Sequence, residues 1–259
     1  MKMPDTEHFH DILFELSNQD RYNILQALKT DRYNVTNMSK RLSLTTQETS
    51  RHFNRLSETS LIERTVTGEY CLTPYGRLMM SQASGIFFAA TNREYFVDHE
   101  TDDLPPRFSS CLMALNVSRL ITDVMVVFAN IERIIDEANE YIYRLTDRYN
   151  MMSLPKLEEA TERGVKFNLM QTKHFQYPPD WPGPGVVLRE ARQEGNFDVR
   201  SSDEANIFIA MNEKEVAVLA FPMEKNLFDY RGFSSTDPLF HKWCEGIFNY
   251  FWESAVPVN

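Results

Sequence analysis

The chain has 259 residues, 42% of them hydrophobic and 12% aromatic, with 27 Lys and Arg against 37 Asp and Glu for a net charge of −10. That length gives room for two domains with a sizeable core, and the three scattered cysteines, Cys71, Cys111 and Cys244, exclude a zinc ribbon or a disulfide framework. No apolar run approaches the roughly 20 residues that span a bilayer, and the opening MKMPDTEHFH lacks the apolar segment of a signal peptide, so a cytoplasmic protein without membrane contact is expected.

Phe9 to Leu16 and Arg21 to Leu28 carry apolar residues at helical spacing, and Asn18 or Asp20 between them suits the cap of the second helix. From Thr36 to Gly76 the sequence spells a helix, a tight turn, a second helix and a two-stranded wing, the layout of a winged helix-turn-helix. Thr45 and Glu48 have the spacing of a capping box, which fixes where the second helix starts. On that helix Thr49, Phe53 and Leu56 share an inward stripe. Gln47, Ser50, Arg51 and Asn54 point the other way, with Arg55 at the flank. Arg forks to guanine, Asn and Gln to adenine, and small hydroxyls to either, so the outer face has the composition of a DNA reading head. A Thr67-Gly68 turn between Arg64 to Val66 and Glu69 to Leu72 completes the wing. The expected DNA-contacting set is Lys40, Thr46, Gln47, Ser50, Arg51, Asn54, Arg55 and Arg64.

This stretch resembles the winged-helix domain of ArsR-type transcription regulators. The resemblance is carried by Ser50-Arg51-His52-Phe53, Ser60-Leu61-Ile62 and Tyr70-Cys71-Leu72-Thr73-Pro74-Tyr75-Gly76. Ser43 and Ser60 stand where the pattern usually has glycine, which implies strain or a shifted turn if those sites need positive φ. Metal-sensing members carry paired cysteines where this chain has Met38-Ser39-Lys40-Arg41-Leu42, so no metal is expected there.

The charge divides along the chain. Residues 1 to 80 hold ten basic and ten acidic residues, so the whole −10 belongs to residues 81 to 259, while 32 to 77 hold seven basic residues against four acidic. A local positive field on an otherwise phosphate-repelling chain follows. Tyr75 to Ala90 continues as a helix whose apolar face fits either a dimer or interdomain seam or burial against its own domain. Thr91 to Pro106 mixes a short strand-like apolar piece with acids and a double proline, as connectors do. A winged-helix domain with dimerisation helix over 1–90 and an effector-sensing α/β domain over 91–259 are therefore expected.

Beyond the connector, helices are expected near Phe108 to Leu115, Asn130 to Tyr141, Leu154 to Arg163 and Val187 to Gln193, interleaved with strands in YIYRLT, VKFNLM and Phe197 to Arg200 and a Pro-rich loop from Tyr177 to Pro184. ANIFIAM and VAVLAF, joined by NEKE, make the strongest hairpin signal. Asp237 and Pro238 open a last helix with Phe240, Trp243, Cys244, Ile247 and Phe251 on one stripe. The alternation predicts an α/β fold with a mixed sheet, α+β over the chain as a whole.

This half resembles the regulatory domain behind archaeal winged helices of the methanogenesis-regulator family, itself similar to the phospholipase-D-like effector domain of TrmB-type regulators. Tyr95 to His99 with Leu104-Pro105, Glu159 to Val165, Asp229-Tyr230-Arg231-Gly232-Phe233, Asp237 and His241 to Trp252 carry it. The phospholipase-D likeness raises a hydrolase alternative, whose His-x-Lys pair is absent: His241-Lys242 has the wrong spacing and Lys173-His174 the reversed order. Among the remaining histidines only His8-x-His10 has a metal spacing, so no catalytic residue, metal or cofactor is expected.

Effector-binding candidates are Tyr143, Arg144, Asp147 and Arg148 in and just after the YIYRLT strand, with Tyr230 and Arg231 before the last helix. An Arg at a sheet edge grips a carboxylate or phosphate; pairing with acids of this acidic domain is the other reading. The expectation is a homodimeric, effector-modulated archaeal transcription regulator that binds double-stranded DNA and is not an enzyme. A phosphodiester hydrolase and a protein-interaction module are the alternatives.

Overall fold

The computed structural model describes residues 7–179, 181 and 183–258. The first six residues of the stretch read for a signal segment, and residues 180 and 182 of the Pro-rich loop, lie outside the described residues. The chain divides into two compact units, Met1–Ser84 and Gly85–Asn259.

The first unit holds α1 (Glu7–Ser17), α2 (Gln19–Ala27), α3 (Val35–Leu42), α4 (Thr46–Glu58), the antiparallel wing strands β1 (Ile62–Arg64) and β2 (Tyr70–Leu72), and the first part of α5 (Pro74–Thr91). Side chains close the starts of three helices: Asn18 accepts from Arg21 N, Asn34 from Asn37 N, and Thr45 from Glu48 N. Glu48 returns the bond to Thr45 N at 3.0 Å, completing the capping box. The turn between α3 and α4 passes through Ser43 at φ 56°, and α4 exits through Ser60 at φ 59°. Both serines hold the left-handed conformation that the missing glycines would adopt without strain. Ile24, Leu25, Met38, Phe53, Leu56 and Leu61 are fully buried between these helices, and the Phe53 ring lies 4.3 Å from Tyr70 of the wing. Gly76 is required by close approach: a Cβ there would sit 2.0 Å from the Leu61 carbonyl.

The second unit begins with the rest of α5, followed by α6 (Arg93–Phe96), α7 (Pro106–Ser109) and a 3₁₀ turn, Leu112–Val117. The piece expected to be strand-like in the connector is therefore the short helix α6, and the helix expected near Phe108 to Leu115 is broken into two short turns. Then come β3 (Arg119–Ile121), α8 (Val124–Glu137), β4 (Tyr141–Arg148), α9 (Leu154–Glu162), β5 (Lys166–Gln176), α10 (Val186–Glu194), β6 (Phe197–Ser202), β7 (Phe208–Asn212), β8 (Val216–Ala220), β9 (Gly232–Ser235), α11 (Pro238–Ser254) and β10 (Val256–Pro257).

These strands form one eight-stranded sheet in the order β10-β6-β5-β4-β7-β8-β9-β3. The pairs β4–β5 and β5–β6 are parallel and the others antiparallel, so the fold is α/β with a mixed sheet. Helices cover both faces, which is why β7 and β8 are buried at every position. On one face α11 packs Phe240, Ile247, Phe248 and Phe251 with Leu145, Met211 and Leu219; on the other α8, α9 and α10 pack Ile131, Leu157 and Leu188 with Ile142, Phe167 and Ala210.

Candidate functional site

Two places gather the expected residues, one in each unit. The first is the outer face of α4. Because the capping box sets the helix start and Thr49, His52, Phe53 and Leu56 are drawn into the core, the opposite stripe is left to solvent. Thr46, Gln47, Ser50, Arg51, Asn54 and Arg55 line one shallow open groove along that stripe, with Glu58 at its end. Lys40 on α3 and Arg64 on β1 are exposed, and Arg64 reaches back over the wing turn, where a Cβ on Gly68 would be 3.5 Å from its Nη2.

Arg55 is engaged differently from the rest. Its Nη2 donates to Glu15 Oε1 at 2.7 Å and its Nε to the same oxygen at 3.3 Å, while its side chain is 45% exposed. Glu15 is itself buried, with Arg21 Nε 2.6 Å from its Oε2. The Arg21 N–H is aimed at the Glu15 carbonyl at 3.2 Å, so Oε2 is held by charge and not by a hydrogen bond. Arg55 thus fastens α4 to α1 through Nε and Nη2.

The second place is the carboxyl end of β4. Alternation along β4 sends Ile142, Arg144 and Thr146 toward α8 and Tyr143 and Leu145 toward α11. A cavity of about 320 Å³ opens there, lined by Arg144, Thr146, Arg148, Tyr230 and Phe208 together with residues of α8 and of the segment after β4. Tyr230 donates to Asp147 Oδ1 at 3.0 Å, and Arg148 pairs with Asp147 Oδ2 at 3.0 Å while its guanidinium lies 5.5 Å from the Tyr230 ring. Four of the six effector candidates are therefore together.

The other two are elsewhere, which corrects the grouping expected from sequence. Tyr143 stacks on Phe248 of α11 at 4.6 Å, on the opposite face of the sheet, because it is one residue out of phase with Arg144. Arg231 is bonded through Nε to Asp229, whose Oδ1 lies 3.2 Å from His99 Nε2. Burial alone would raise the Asp229 pKa, but the bonds from Arg231 and His99 outweigh it and hold the carboxyl below its usual range. Sequence reading missed the cavity's apolar walls, Phe128, Tyr149 and Phe208. Its available signal was an arginine inside the otherwise buried strand YIYRLT.

Among the described residues no group of three His, Cys, Asp or Glu side chains could hold a metal ion, and no helix is long and apolar enough to cross a membrane. No family model and no curated protein matches the chain. Among solved structures, the chain is similar to TrmBL2, an archaeal chromatin protein, at 13% identity over 97% of this chain and 100% of that one, with a TM-score of 0.42. It is also similar to HlyU from Vibrio cholerae, at 21% identity over 37% of this chain and 99% of that one (TM-score 0.28). The third similarity is to Nuc, a phospholipase D family member from Salmonella typhimurium, at 12% identity over 51% and 90% (TM-score 0.34).

Proposed function

We propose that the protein is a sequence-specific, double-stranded DNA-binding transcription regulator, acting in the cytoplasm as a homodimer whose DNA affinity is set by a small effector. The observation that carries this reading is the outer face of α4, where Gln47, Arg51 and Asn54 stand exposed on a helix whose start is fixed by the Thr45–Glu48 box. A helix presented in this way fits the major groove, and the exposed Lys40 and Arg64 flank it as phosphate contacts would. The archaeal, ArsR-like and methanogenesis-regulator affiliations are part of the reading on the strength of the sequence motifs.

Catalysis of phosphodiester hydrolysis is not part of it. His241 Nε2 sits 2.7 Å from the Asn212 carbonyl, and His99 is stacked 3.7 Å from Tyr95 with Nδ1 2.7 Å from the Tyr95 carbonyl. Lys173 and His174 share an open cavity with Asp103, Asp203 and Glu204, whose charge repels a phosphodiester.

The test is selection of bound sequences from a random DNA pool, followed by titration of the selected site at fixed salt. Arg51→Ala weakens binding by about 1 to 3 kcal/mol if the side chain forks to a guanine, with the fold unchanged. Lys40→Ala weakens all sequences alike and lowers the salt slope by about 1. Equal affinity of Arg51→Ala and wild type for the selected site overturns the assignment of this face.

A further inference from the structure

The cavity at the end of β4 holds a charge that the protein does not answer. Arg144 is 4% exposed, it makes no hydrogen bond or ion pair through its side chain among the described residues, and its Nε is buried without a partner. A buried guanidinium ordinarily has a carboxylate beside it, because removing a charge from water is costly unless it is paired. Burial moves its pKa down only to about 10, so it stays cationic at neutral pH.

The other charges around the cavity have partners elsewhere. Arg148, Asp147 and Tyr230 satisfy one another, and Glu132 of α8, the carboxylate in the wall, is 37% exposed and shares Lys156 with Asp136, its Oε2 lying 3.5 Å from Nζ against 2.7 Å for Asp136. Among the described residues Arg144, at the base of the site, is left with no partner of its own.

Placement and walls agree with a ligand there. At β4 the sheet passes from parallel pairing with β5 to antiparallel pairing with β7, and the cavity lies at the carboxyl end of β4, where α/β sheets take their ligands. Beside Arg144 the neighbouring strand carries the small Ala210, and two residues back along β7 comes Phe208. Tyr230 stands 5.2 Å from Phe208 and 5.5 Å from Phe128, and it is held at φ 62°, a conformation costly for a tyrosine and typical of ligand clamps. Met125 and Met152 complete a wall that adapts to an apolar body.

We propose that this cavity binds a small organic monocarboxylate with an aromatic or short acyl body, its carboxylate held by Arg144. A phosphate dianion is disfavoured because one uncompensated cation faces the space and Arg148 is already spent on Asp147. The site rests on the effector part of the reading above, but not on DNA binding.

The test uses the full chain without DNA. Calorimetric titration with phenylacetate, benzoate and the C4 to C8 alkanoates is compared with the matching neutral amides and with inorganic phosphate. At least one acid binds tenfold or more tighter than its amide, and phosphate does not bind. Arg144→Met abolishes that preference and melts no lower than wild type without ligand, since it removes an unpaired buried charge. Met152→Trp, at a position 78% exposed at the cavity's edge, blocks the acid without altering the unliganded melting temperature; it decides the matter if Arg144→Met fails to fold. Acids and amides binding alike, no acid binding at millimolar concentration, or acid binding that survives Met152→Trp would each overturn the site. Loss of acid binding with operator affinity intact, or the reverse, separates this site from the DNA-reading face.

Discussion

Glu15 of α1 and Arg55 of α4 are joined at 2.7 Å through a carboxylate that is 2% exposed. The same carboxylate lies against the buried Arg21 of α2, so three helices meet on one acid. The orientation of the outer face of α4 is thereby set from behind.

Glu15→Ala leaves Arg21 buried without its counter-ion, and removing one partner of a buried pair costs about 3 kcal/mol or more. The expected outcome is a clear loss of denaturant midpoint for the first unit, together with weaker DNA binding that a lower temperature partly restores. A midpoint equal to wild type would mean that the acid does not organise the helices.

Ser43 and Ser60 hold left-handed backbone at φ 56° and 59°. Ser43→Gly and Ser60→Gly each release about 1 kcal/mol of strain, set against some gain in unfolded-state entropy. Both variants should melt above wild type in thermal scans, and the double variant near the sum; a fall in melting temperature would show that the serine side chains contribute more than the backbone costs.

His52 is drawn into the core of the first unit, with its Nδ1 unpartnered among the described residues and its Nε2 3.8 Å from Asp20 Oδ2. Burial lowers its pKa below 6.5, and the attraction of Asp20 offsets only part of that. A folded-state pKa below the unfolded value means stability present above about pH 6.5 and lost as pH falls through the folded pKa. His52→Gln should flatten the decline in melting temperature between about pH 7 and pH 5, measured over that range against wild type. An unchanged slope would place the acid sensitivity elsewhere.

α5 exposes Leu78 and Ile86, apolar residues eight positions apart on the helix that follows the wing in the chain. If this helix is the dimer seam, Ile86→Asp shifts the mass in light scattering from dimer to monomer at micromolar concentration, and operator affinity falls with it. A wild-type chain that is monomeric with and without operator removes the dimer from the functional reading.

Much of the first unit was legible because its signals are local. The Thr45–Glu48 box, the Thr67-Gly68 turn and the two serines at glycine positions each act within four residues, and each is found where the spacing puts it; of the two caps open to α2, Asn18 and Asp20, the helix uses Asn18. In the second unit the hairpin of β7 and β8 and the Asp237-Pro238 start of α11 were equally plain. The start of α8 was not: Val124 to Phe128 is an apolar run that a buried strand would share, and only the Asp123 side chain, accepting from Met125 N, marks it as helix. β3, β9 and β10 have four residues or fewer and exist through their partners. The cavity was half legible. An arginine within a buried strand could be seen, but that Tyr143 faces α11 while Arg144 faces α8 depends on strand parity, which the sheet's neighbours decide.

The edges of the eight-stranded sheet bear on what a strand from outside the chain could pair with. One edge is β10, two residues long and containing Pro257, which has no N–H to donate; the other is the three-residue β3. Neither offers the long unpaired ladder on which another chain's strand could dock, so the sheet is blunted against edge-to-edge aggregation. Any self-association is thereby left to helical surfaces.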